Sequence, residues 1–135
     1  VDRLEADFAA GKTLIRHGAN GLVALAEAKL RGEVVSPAKV LAELDGLVAH
    51  PDAGQLDTLV LACTHFPLLA PELSQVLGPQ VTFVDGSDGI ARRIATLTSG
   101  QPFERSTPDR AVTTGQIADW QRVAPALAQY GLSVL

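Results

Sequence analysis

Methionine is absent from these 135 residues, and cysteine, tryptophan and tyrosine occur once each. A lone cysteine cannot close an internal disulfide, which fits a chain kept in a reducing cytosol. Basic residues are also sparse. Eleven Lys and Arg stand against 15 Asp and Glu, a formal charge of −4 with no basic run. Nucleic-acid surfaces cluster their Lys and Arg, so nucleic acid is not an expected partner. No apolar run approaches the ~20 residues that span a bilayer, and no membrane association is expected. Val1-Asp2-Arg3-Leu4-Glu5 is charged at once, unlike a signal peptide. One cysteine and three scattered histidines lack the paired ligand spacing of a zinc site, so no metal is expected. The missing initiator methionine is read as the mark of a cut or processed chain. A chain of this length can bury roughly 65–70% of its unfolded surface, enough for one domain.

The apolar residues recur with two periods. Leu4 and Phe8 suggest a short amphipathic helix ended by Gly11, and Thr13-Leu14-Ile15-Arg16 reads as a short strand. Leu22, Leu25, Ala26 and Leu30 define a helix over 21–31 closed by Gly32. Ser36-Pro37 starts another, with Val40, Leu41, Leu44, Leu47 and Val48 as its stripe, ending near His50-Pro51. Strands are expected over 58–62, 81–84 and 111–113. Helices are expected after Pro71, capped at its end by Gly78, after Ser87 as cap, and from Ile117 through a kink at Pro125, with a loop over 101–109. Strands alternating with helices imply an α/β fold with a parallel, doubly covered sheet.

Chemistry concentrates in Leu59-Val60-Leu61-Ala62-Cys63-Thr64-His65-Phe66-Pro67-Leu68-Leu69. An apolar strand runs into the thiol, a threonine and a histidine, and side chains just past strand C-termini line the ligand crevice of open α/β sheets. If the backbone stays extended, Cys63 and His65 point to one side and Thr64 to the other. Cysteine at a strand end is often no more than a small buried hydrophobe. As a base, however, its thiol needs a cation, a dipole or a hydrogen bond to ionise near neutrality. His65 can supply that help, though a lone histidine is more often structural. Glu27 by pattern is a solvated glutamate on an amphipathic helix. His17 and His50 carry no expected role, and Arg92 and Arg93 belong on an exposed helix face.

The Cys-Thr-His-Phe-Pro-Leu-Leu run, with Val81-Thr82-Phe83-Val84-Asp85, Ala91-Arg92-Arg93 and Thr113-Thr114-Gly115, resembles the glutamate racemase family. The likeness extends from about Val1 to about Gln129, with Ala62 and Phe66 where glycine and tyrosine are common. It implies a parallel-sheet α/β/α lobe of the aspartate/glutamate racemase type, truncated at its N-terminus. It further implies cofactor-independent interconversion of L- and D-glutamate for peptidoglycan synthesis. Two cysteines then flank the substrate and exchange its Cα proton from opposite faces, Cys63 being the one that attacks L-glutamate. By the same resemblance His65 assists the thiol and Thr64 binds the substrate carboxylate. Glu27 approaches the site, although Ala19-Asn20 stand where the family has Cys-Pro.

The family's Asp-Ser-Gly turn and Cys-Asn-Thr motif appear nowhere in the chain. Residues 1–84 are therefore expected to form the second lobe without its first strand, and 85–135 to return to a first lobe that this chain lacks. The partner implied is that lobe, or a second chain in its place. One expectation is half of a glutamate racemase, inactive alone. The other is a non-catalytic module that self-associates through its uncovered edge and apolar face. Relatives acting on aspartate, hydantoins or arylmalonates share the scaffold, but the histidine after Cys63-Thr64 favours glutamate.

Overall fold

The computed structural model describes residues 2–102, 104 and 106–134, with Leu4 described by its backbone alone. The expected Leu4–Phe8 stripe and part of the 101–109 loop, at Phe103 and Arg105, thus lie outside the described residues. Helix α1 (Asp2–Phe8) leaves Phe8 83% exposed, so that side chain contributes nothing to a core. Its tether is polar. Arg16 pairs with Asp2 at 2.6 Å and with Glu5 at 2.5 Å, and these two carboxylates raise the guanidinium pKa further. Thr13–Arg16 is not a strand. A strand exists only through a partner, and none among the described residues pairs with this segment.

Helix α2 (Gly21–Leu30) follows its expected span, and Gly32 at φ +82° turns the chain out of it. Leu22 and Ala26 are buried, and no residue from Leu25 to Arg31 is exposed, because α2 packs against three other elements. Its N-terminus is capped from a distance. The Gly21 N–H donates to Glu43 Oε2 at 3.0 Å, and a Cβ on Gly21 would meet that carboxylate at 2.2 Å. Any larger residue there would oblige the Glu43 side chain to swing away, so the cap depends on close approach rather than on φ. The predicted helix after Ser36 is two helices, α3 (Pro37–Glu43) and α4 (Asp45–Val48), broken at Leu44, whose ψ is 6°. Val40, Leu44 and Leu47 are buried across the break, so the apolar stripe survives it.

Strand β1 (Thr58–Val60) pairs in parallel with β2 (Thr82–Val84), Leu59 opposite Phe83. Leu59 and Phe83 pack against the core, whereas Val60 and Val84 on the other face are 63% and 46% exposed. Among the described residues the pair is thus covered on one side, not on both as the doubly covered sheet was expected to be. Between the strands lie a 3-10 turn (Phe66–Leu69) and helix α5 (Ala70–Leu77), ended by Gly78 at φ +90°. Leu69 and Leu73 are completely buried against α2 and α3.

Helix α6 (Ser87–Leu97) is preceded by Asp85, whose Oδ1 accepts the Ser87 N–H at 2.7 Å. Asp85, not Ser87, therefore serves its first turn, and its hydrogen bonds from Ser87 hold the Asp85 carboxyl below its ordinary range. Strand β3 (Arg110–Ala111) pairs in parallel with β4 (Ser133–Val134), which follows helix α7 (Ile117–Ala128). Helix α7 continues through Pro125. The buried core comprises Ala19, Leu22, Ala26, Val35, Val40, Leu44, Leu47, Leu61, Leu69 and Leu73, with Val81 also buried. Among the described residues none beyond Val81 is buried.

Candidate active site

Past β1 the backbone does not stay extended. It bends at Cys63 and turns at Thr64, and His65 is in the helical region with φ −78° and ψ −31°. The Phe66 N–H donates to the Cys63 carbonyl at 3.1 Å and the Leu68 N–H to that of His65 at 3.1 Å, so the motif wraps into the 3-10 turn. Cys63 and His65 meet all the same, through the turn rather than through strand alternation. Cys63 Sγ lies 3.7 Å from His65 Nδ1.

His65 Nε2 lies 3.0 Å from Glu27 Oε1, which α2 presents from 38 residues away in sequence. A carboxylate only accepts, so Nε2 carries the hydrogen and Nδ1 offers its lone pair to the Cys63 S–H. Proton transfer along this line yields a thiolate beside an imidazolium that is itself beside a carboxylate. The backbone N–H of His65 and then its imidazole hold the Cys63 thiol below its ordinary pKa, against the opposing effect of burial. His65 is shifted upward, first by its bond to Cys63 and then by its bond to Glu27. Both shifts favour the thiolate–imidazolium pair.

Thr64, between the two, is exposed. Arg92 and Arg93 are exposed as well. His17 and His50 lie apart from the site. His17 Nε2 is 2.7 Å from the Glu43 carbonyl, and His50 Nδ1 accepts the Asp52 N–H at 3.2 Å. Two further residues join the site without a prior signal of function. Arg31 Nη1 is 3.7 Å from Glu27 Oε2, a pairing that the i,i+4 spacing permits. Lys29 Nζ donates to the Leu68 carbonyl at 2.8 Å and to Glu72 at 2.7 Å, binding α2 to the 3-10 turn and α5. Nothing in the sequence pairs Lys29 with Glu72, 43 residues on.

Two cavities border this region. One of about 190 Å³ lies between residues 13–15 and β1, reaching Leu22, Phe66 and Leu73. The other, about 490 Å³, lies between α2 and α7, with Glu27, Arg31, Thr113, Gly115, Trp120 and Arg122 in its wall. Cys63 lines neither, and stands partly exposed at the surface.

No protein-family model matches the chain. It is 47% identical over 133 residues to a glutamate racemase of Sphingopyxis alaskensis, covering 98% of this chain and 50% of that protein. It is 35% identical over 130 residues to a glutamate racemase of Vibrio vulnificus, covering 96% of this chain and 48% of that protein. Its fold matches the crystal structure of Escherichia coli glutamate racemase in complex with L-glutamate and the activator UDP-MurNAc-ala, with a TM-score of 0.85 and 34% identity over 99% of this chain and 52% of that one. Related along its sequence and alike in fold, the chain belongs to the glutamate racemase family and spans about half the length of the curated relatives it matches.

Proposed function

We propose that the chain supplies one half of a glutamate racemase, a cofactor-independent isomerase that interconverts L- and D-glutamate, with Cys63 as one of its two bases. The observation that carries this reading is the hydrogen-bonded line Cys63–His65–Glu27. The thiolate that this line favours takes the Cα proton from L-glutamate, and a second acid on the opposite face returns one there. Inversion requires that two-sided arrangement, since a single base on one face returns the proton where it came from. His65 assists the thiol, Glu27 steadies the imidazole, and exposed Thr64 binds the substrate carboxylate. The second base lies outside this chain, whose only cysteine is Cys63. Such an enzyme supplies D-glutamate for peptidoglycan in the cytoplasm.

In this reading residues 1–84 form the second lobe and 85–135 return to the first. The distribution of burial supports the division, because among the described residues every buried hydrophobic side chain lies between Ala19 and Val81. Ile90, Ile94 and Leu97 on α6 are exposed, as expected of a face awaiting the other lobe. The isolated chain, with one base, is expected to leave glutamate unracemised.

The test is a chimera in which this chain replaces the matching half of the Sphingopyxis alaskensis enzyme. Interconversion of L- and D-glutamate by the chimera, abolished by Cys63→Ser, is the expected result. A folded chimera without activity, or an active one indifferent to Cys63→Ser, would refute the assignment.

A further inference from the structure

We infer that Arg31 is a positioning residue for the Cys63–His65–Glu27 line, turning the Glu27 carboxylate so that one oxygen faces His65 while the other faces the guanidinium. This deepens the proton-transfer reading above and rests on it. The Glu27 side chain is 44% exposed and carries three rotatable bonds, so left alone it would spread over rotamers that point into solvent. In the structure both of its oxygens are engaged, Oε1 with His65 Nε2 at 3.0 Å and Oε2 with Arg31 Nη1 at 3.7 Å.

Arg31 is itself braced. Its Nε donates to Glu33 Oε1 at 3.2 Å, and Arg122 Nη2 of α7 reaches that same oxygen at 3.7 Å. Charges thus alternate from Glu27 through Arg31 and Glu33 to Arg122. Asp119 of α7 is a further charged group in the wall of the cavity that Glu27, Arg31 and Arg122 share. Lys29, the other cation of this helical turn, is committed to the Leu68 carbonyl and Glu72. An i,i+4 ion pair at a surface is ordinarily a minor stabilising contact. Here the paired carboxylate holds the imidazole with its other oxygen, and the guanidinium is fixed from behind, so the pair selects a rotamer.

Cys63 is the only cysteine, so the pH dependence of its alkylation by iodoacetamide reads the line directly in this chain. Arg31→Gln should slow alkylation at pH 7 about two- to five-fold, the size of a partly exposed ion pair, and move the profile upward. Arg31→Lys should recover part of the loss. In a Glu27→Gln background, Arg31→Gln should change nothing further. An unchanged profile in Arg31→Gln, or an equal shift in both backgrounds, would overturn the inference, the latter because the guanidinium would then act on the thiol as a distant charge. If Glu27→Gln itself leaves the profile unmoved, the proton-transfer reading falls, and this inference with it. Neither side chain belongs to the core, and matched thermal melts check that each variant is folded.

Discussion

At the scale of the residue, the thiol–imidazole–carboxylate line makes the first prediction. Because its neighbours favour the thiolate, Cys63 should alkylate with a midpoint below the ~8.5 of a free thiol. His65→Gln removes the imidazole while leaving the backbone N–H, so the midpoint should rise part of the way back. A wild-type midpoint at or above the free-thiol value would remove the electrostatic basis of the site. The pairing of Cys63 with His65 was legible in the sequence because they sit two apart in one motif. Their geometry was not, since the extended backbone that would align them gives way to a turn at Thr64. Glu27 read by pattern as a solvated helix residue, and only the family resemblance drew it toward the site, because its partner is 38 residues away and only packing brings them together. In the core, Leu73 is completely buried between helices, and Leu73→Ala should cost about 2–5 kcal/mol in urea unfolding.

At the scale of the element, the site depends on how α2 sits against the 3-10 turn. Lys29 crosses that junction with two charge-assisted bonds. Lys29→Met keeps the aliphatic stem and removes both bonds, and should lower stability by about 1–2 kcal/mol, read from the urea midpoint. Gly21→Ala should displace Glu43 from the head of the same helix, costing ~0.5–2 kcal/mol, the range of a lost cap. Neither device was visible beforehand, since Lys29–Glu72 and Gly21–Glu43 are contacts across the fold. The elements themselves were largely readable where glycine and proline punctuate them, as Gly32, Pro37 and Gly78 do for α2, α3 and α5. Reading failed where an element needs a partner to exist. Thr13–Arg16 has strand composition and no strand beside it among the described residues, while β4 is two residues long and forms only because β3 accepts it.

At the scale of the whole molecule, the chain is well packed from Ala19 to Val81 and thinly covered beyond. Val60 and Val84 on one face of the strand pair, and Ile90, Ile94 and Leu97 on α6, form apolar surface of the kind that drives association. Light scattering should report self-association that grows with concentration and weakens in Ile90→Glu/Ile94→Glu. A monomeric mass at high concentration would instead show that this surface is tolerated in water. The cavity between α2 and α7 has another consequence. Trp120, the single tryptophan of the chain, lines it with Glu27, Arg31 and Arg122, its Nε1 buried without a hydrogen-bond partner among the described residues. The protein therefore carries its own optical probe: one indole, alone in the emission spectrum at long excitation wavelength, placed where any rearrangement of the charged row between the two helices must change its surroundings.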